Sequence, residues 1–164
     1  MDETTQRVTC CVLICSDRCF SGERQDRTGP ALKETLQRLN YQVLDLKVVP
    51  DDIGVIAGQL RKWVEMGVDL IVTSGGTGVG PRDVTPEATL QVIDKEVPGI
   101  SQAALVLSLQ RTPHAVLSRA KAGVSGKTLI VNLPGSTKGA QEIIEQLDPA
   151  LKHAVPIIHG QVIE

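Results

Sequence analysis

Short apolar runs, each closed by a polar, glycine or proline punctuation and each followed by a segment with helical spacing, constrain this chain more than any other feature. The first run, residues 8–15, is too short for a helix and apolar on both faces, which is the pattern of a strand buried inside a parallel sheet. Leu44, Leu46 and Val48 alternate with Asp45 and Lys47 and stop at Pro50, giving a second strand. Residues 70–73 and 128–131 read as two more, and residues 115–117 as a further short one. Between them Ala31, Leu32, Thr35, Leu36 and Leu39 keep helical spacing, with Pro30 in the first turn where its missing N–H costs nothing. Asp51 or Asp52 caps a helix carrying Ile53, Ile56, Leu60, Trp63 and Val64. Thr85-Pro86-Glu87 starts a helix that runs to about residue 97, Pro98-Gly99 breaks it, and residues 100–109 resume it. Ala140, Ile143, Ile144, Leu147 and Leu151 mark a closing amphipathic helix. Strands alternating with helices imply right-handed crossovers, so the expected fold is α/β: a three-layer α/β/α sandwich around a mostly parallel sheet.

The 164 residues suit one domain, read as a polar N-terminal extension over residues 1–7 and a single domain over 8–164. With 41% hydrophobic but only 2% aromatic residues, aliphatic side chains must build the core. The formal net charge of −2 provides no broad basic field, which argues against nucleic-acid binding. The apolar runs fall far short of the roughly 20 residues that span a bilayer, and no signal peptide is visible, so no membrane partner and a cytoplasmic location are expected. Cys10, Cys11, Cys15 and Cys19 crowd into one stretch with no second pair further along, a poor match to a zinc site. They read as reduced core thiols.

In open α/β sheets, ligands bind outside the carboxyl ends of the strands. Here that edge collects Ser16-Asp17, Asp51-Asp52, the loop from Gly75 to Asp83, Ser118-Arg119, and Asn132 to Ser136. The loop places Gly75, Gly76, Gly78 and Gly80 directly after a strand, so backbone N–H groups can approach a ligand closely, and phosphate is the natural guest. It matches neither the dinucleotide fingerprint nor the Walker motif, and a tight strand-to-helix turn is the competing reading. Asp51 and Asp83, placed at the ends of neighbouring strands, can face one another and hold Mg²⁺ together with substrate phosphates, or can simply cap helices. Arg82, Arg119, Lys121, Lys127 and Lys138 lie in or near these loops and suggest a local cationic pocket. No Ser–His–Asp arrangement can be assembled, so a side-chain nucleophile is not indicated.

Six ordered motifs carry a resemblance across nearly the whole chain. They are Ser16-Asp17-Arg18, Asp26-Arg27-Thr28-Gly29, Val49-Pro50-Asp51-Asp52, Ser74-Gly75-Gly76-Thr77-Gly78 with Pro81-Arg82-Asp83-Val84-Thr85-Pro86-Glu87, Leu117-Ser118-Arg119, and Asn132-Leu133-Pro134-Gly135-Ser136. On these the chain resembles the molybdopterin adenylyltransferases, the family of the MogA-type enzymes and the gephyrin G domain. The resemblance implies a homotrimeric domain that uses Mg²⁺ and ATP to adenylylate the terminal phosphate of molybdopterin and release pyrophosphate. A molybdate-insertion domain acting next is the implied partner. It further implies Asp51 and Asp83 as catalytic residues linked to Mg²⁺. Ser74, Gly75, Gly76, Thr77, Gly78 and Arg82 with Asn132, Pro134, Gly135 and Ser136 would frame nucleotide and phosphates, and Ser16, Asp17 and Ser118 would help hold pterin or phosphate. Cys15 and Ser74 stand where the family commonly has Thr or Ser and Thr. A non-catalytic pterin-binding or scaffold domain and a MoaB-type paralogue are the alternatives.

Overall fold

The computed structural model describes residues 6–163, so residues 1–5 of the expected N-terminal extension lie outside the described residues. The element order is β1 (Thr9–Cys15), α1 (Asp17–Phe20), α2 (Thr28–Arg38), β2 (Gln42–Val49), α3 (Ile53–Glu65), β3 (Leu70–Ser74), α4 (Thr85–Leu90), β4 (Lys95–Glu96), α5 (Pro98–Leu109), a 3₁₀ turn (Pro113–Leu117), β5 (Ala122–Ser125), β6 (Thr128–Leu133) and α6 (Thr137–Ile158). The strands form one six-stranded sheet in the order β2-β1-β3-β6-β5-β4. β1 pairs parallel with β2 and β3, and β3 parallel with β6. β5 is antiparallel to both its neighbours.

Helices cover both faces, and the two-residue period of β1 sorts its side chains between them. Cys10, Val12 and Ile14 pack with Leu32, Leu36, Ile143, Ile144 and Leu151 on one side. Cys11, Leu13 and Cys15 pack with Ile56, Leu60 and Trp63 on the other. β3 and β6 are buried along their entire length, which is why their sequences show no polar alternation. The three-layer α/β sandwich is therefore as expected. Trp63 is fully buried and its indole Nε1 donates to Asp45 Oδ2 at 3.2 Å, so its one polar atom is satisfied.

Three local expectations are corrected. The helix from Thr85 stops at Leu90, and residues 95–96 pair with β5 as the edge strand β4. Residues 115–117 lie in a 3₁₀ turn, because Pro113 follows a Thr112 cap whose Oγ1 accepts the His114 N–H. β5 is an additional strand, joined to β6 by a turn in which Gly126 adopts φ +57°.

Candidate active site

The parallel strands β1, β2, β3 and β6 all end at one edge of the sheet, delivering Ser16-Asp17, Pro50-Asp51, Gly75 onward, and Pro134 onward to a common crevice. Two of these loops are tied together. Ser74 is buried and its Oγ donates to Pro134 O at 2.8 Å, while Gly75 N–H donates to Leu133 O at 3.3 Å. Gly75 (φ +97°) and Gly76 (φ +67°) take left-handed backbone conformations. A Cβ at Gly75 would stand 2.4 Å from Cys15 O, and one at Gly76 would stand 2.3 Å from Thr85 Oγ1 and 3.2 Å from Asp51 Oδ1. Only glycine fits there, and part of the space it leaves is filled by the protein's own Thr85 and Asp51. Thr85 Oγ1 in turn donates to Gly75 O at 2.9 Å.

Asp51 and Asp83 do not come from neighbouring strands. β2 and β3 flank β1, and the strand between them supplies Asp17. Asp17 and Asp51 bind each other's backbone: Asp17 N–H donates to Asp51 Oδ2 at 3.0 Å, and Asp51 N–H donates to Asp17 Oδ1 at 2.9 Å. Arg82 closes on the same Asp17 carboxylate with two hydrogen bonds of 3.0 and 3.1 Å, which holds the Asp17 carboxyl below its ordinary range. Burial pushes the Asp51 carboxyl up, with the charges of Asp17 and Asp83 adding to the rise, against lowering by the Asp17 N–H and Arg82. Asp52 caps α3 by accepting the Val55 N–H at 2.9 Å, so of the two adjacent aspartates Asp51 is the one turned to Asp17 and the glycine loop, although it lines neither of the two clefts that flank that loop. Asp83 Oδ2 accepts the Gly80 N–H at 2.9 Å, folding the glycine loop back on itself.

Two clefts share one wall. The first, about 490 Å³, is lined by Ser16, Cys19, Arg24, Arg27, Ser74 and Gly75 and reaches Gly135, Ser136 and Thr137 at the start of the 22-residue α6. The second, about 290 Å³, combines Thr77, Gly78, Ser118 and Pro134 with apolar Ala104, Leu117 and Ile143. The glycine loop and the segment 134–136 stand between them. Ser136 touches both clefts while its Oγ caps α6 by accepting the Gly139 N–H at 3.0 Å.

The family model described as "probable molybdopterin binding domain" matches residues 11–153. The chain belongs to this family. It is 40% identical over 156 residues to the molybdopterin adenylyltransferase of Helicobacter pylori strain J99, covering 93% of this chain and 89% of that one. It is 41% identical over 160 residues to the molybdenum cofactor synthesis protein cinnamon of Drosophila melanogaster, covering 96% of this chain but only 26% of the fly protein. The structure of the molybdopterin biosynthesis enzyme MoaB from Thermus thermophilus superposes with a TM-score of 0.88 at 46% identity, covering 96% of this chain and 99% of that one.

The remaining side chains of this molybdopterin-binding domain divide into those that face the crevice and those the fold consumes. Asn132 touches the second cleft but is buried, donates to Thr73 and Thr89 at 3.0 and 2.9 Å, and accepts the Lys121 N–H at 3.0 Å, so both its amide N–H groups are committed to the fold. The expected cationic pocket is also different from its sequence reading. Arg82 is paired with Asp17, Lys121 with Glu96, and Arg119 with Glu87 and loop carbonyls. Arg24, Arg27 and Thr28 line the first cleft instead, and the motif Asp26-Arg27-Thr28-Gly29 is the sequence signal for the last two.

Asp51 Oδ1 decides whether the residues suit a metal ion. It is buried and has no hydrogen-bond partner, a costly state for a carboxylate oxygen and one that a cation relieves. Among the described residues no group of three or more His, Cys, Asp or Glu is arranged as a metal cage. One or two carboxylates without a cage fit Mg²⁺, which keeps waters and takes its other ligands from substrate phosphates.

Proposed function

We propose that this domain binds molybdopterin and ATP in the two clefts and transfers an adenylyl group to the molybdopterin phosphate, releasing pyrophosphate. The observation that carries the reading is the shared wall: two clefts meet at a glycine-rich loop and a helix N-terminus, beside a buried carboxylate oxygen with no partner. Such a place can hold two anionic substrates with their reacting groups in contact, and the gain from that positioning is large. The substrate's own phosphate is the nucleophile, so the reading needs no serine or cysteine nucleophile activated by a base.

Asp51 and Asp83 would hold Mg²⁺, whose contribution is to neutralise phosphate charge during transfer. Asp17 fixes the Asp51 backbone and is itself fixed by Arg82, so the carboxylate is held in place before substrate arrives. Ser16, Ser74, Gly75, Gly135 and Ser136 line the first cleft, and Thr77, Gly78, Ser118 and Pro134 the second. Asn132 acts from beneath, holding the β6 end. Assembly as a trimer belongs to the same reading. α5 buries only Ala104, and Val106 and Leu109 with Val116 and Leu117 of the 3₁₀ turn leave an exposed apolar face for other copies.

The test is pyrophosphate release from purified protein, required to depend on molybdopterin, ATP and Mg²⁺ together. Release without molybdopterin, or tight molybdopterin binding with no release, contradicts the reading. The 46% identity to the Thermus MoaB favours one second reading, a MoaB-type paralogue on the same fold; molybdopterin binding without ATP turnover would instead support a non-catalytic pterin-binding domain.

A further inference from the structure

We infer that Arg119 is a positioning residue for the adenylyl-transfer site, a cation that orders the anion-binding loop without touching the anion; this rests on the reading just proposed. Arg119 lies two residues past the 3₁₀ turn, outside the sheet, and reaches the glycine loop at both shoulders. Its backbone N–H donates to Thr77 O at 2.8 Å, its Nε to Gly78 O at 2.7 Å, and its Nη2 to Asp83 O at 2.8 Å. Its Nη1 pairs with the Glu87 carboxylate in the first turn of α4. One residue therefore spans the loop from Thr77 to Asp83 and anchors it to the helix that follows.

The loop needs such an anchor. Ordering each residue costs about 1–2 kcal/mol of backbone entropy, more for glycine, and between the buried Thr77 and the partly buried Val84 the residues Val79, Gly80, Pro81 and Arg82 are exposed. The planar guanidinium fixes the Gly78 and Asp83 carbonyls at a set spacing, which the single ammonium of a lysine cannot do. Because the trans peptide unit points C=O and N–H in opposite directions, carbonyls drawn to Arg119 turn the N–H groups of Gly78, Val79 and Val84 away from it. The loop's donor face is thus set from behind. Glu87 neutralises the guanidinium, and its own carboxyl is held below the ordinary range by Arg119, so an arriving phosphate has little to draw the side chain out of its place.

The test uses Arg119→Ala and Arg119→Lys in the full chain, with kcat for adenylylated molybdopterin and backbone amide hydrogen exchange of the substrate-free protein as separate readouts. Both variants should lose about 100-fold in kcat, the scale of a small misplacement near the reacting atoms. Exchange should rise about tenfold over residues 76–84 while β1 and β3 keep their protection. Added guanidinium should return at least part of the lost kcat to Arg119→Ala but none to Arg119→Lys, whose ammonium fills the space. Wild-type kcat in Arg119→Lys, unchanged loop exchange in Arg119→Ala, or a rise in exchange throughout the sheet with no guanidinium recovery overturns the inference. If the wild type itself makes no adenylylated product, the adenylyl-transfer reading falls, whereas the exchange measurement still decides whether Arg119 orders the loop.

Discussion

Asp51 and Asp52 are neighbours in the chain with separate work, and substitution should separate them. Asp52→Ala removes the α3 cap and should cost about 1 kcal/mol of stability by chemical denaturation while leaving turnover unchanged. Asp51→Asn keeps an acceptor for the Asp17 N–H but removes a buried charge; it should leave Tm unchanged or raised and abolish Mg²⁺-dependent turnover. The sequence alone allowed either aspartate as the cap, since capping depends on which backbone turns away from the helix, not on residue type. The cysteines carry a pH signature. Burial pushes the thiols of Cys10, Cys11 and Cys15 from 9.0 up to about 12. In the unfolded chain they ionise near 9 while the native thiols stay protonated, so stability should be fully present below pH 9 and fall progressively as pH rises toward 12. Cys11→Ala should make the loss of denaturation free energy with pH shallower; an unchanged slope contradicts the assignment. At pH 8 a thiol reagent should label the half-exposed Cys19 first.

At the scale of elements, strands with both faces buried were legible because burial leaves a continuous apolar run, as in residues 8–15 and 70–73. The C-terminal edge of the sheet was not. β5 reads Ala-Gly-Val-Ser, too small and too short to signal a strand, and it exists because β6 pairs with it through a tight turn. The helix period after Thr85 continues to about residue 97 in sequence, yet Ile93 packs near Gly123 of β5 and the chain turns to become an edge strand. The glycine loop was legible as a backbone surface, but the occupation of its space by Asp51 and Thr85 depended on a distant contact. Asn132 shows the same limit: it stands in a motif that the resemblance assigns to nucleotide and phosphate, and the fold uses its side chain to join β6, β3 and α4. Asn132→Ala should therefore destabilise by about 2–3 kcal/mol, measured by denaturant unfolding, because it strands buried polar partners. An unaltered midpoint would return Asn132 to the substrate.

At the scale of the whole molecule, four parallel strands ending at one edge bring motifs from residues 16 to 136 into one crevice, and this is why six separated motifs could signal a single site. The apolar face of α5 and the 3₁₀ turn lies beside the second cleft, so the proposed assembly and the proposed substrate site would share a boundary. Sedimentation velocity should give a trimer, and Val106→Glu with Val116→Glu should yield a folded monomer; a monomeric wild type contradicts the assembly. No helix among the described residues is long and apolar enough to cross a membrane. The edge holding Asp51, Asp83 and the glycine loop is proposed to transfer an adenylyl group. Mass detection of adenylylated molybdopterin, formed from molybdopterin, ATP and Mg²⁺ by the wild type and by Asp83→Asn, tests it most directly. The wild type should give product and a folded Asp83→Asn none; equal product from both, or none from a molybdopterin-loaded wild type, would rule out adenylyl transfer at this edge.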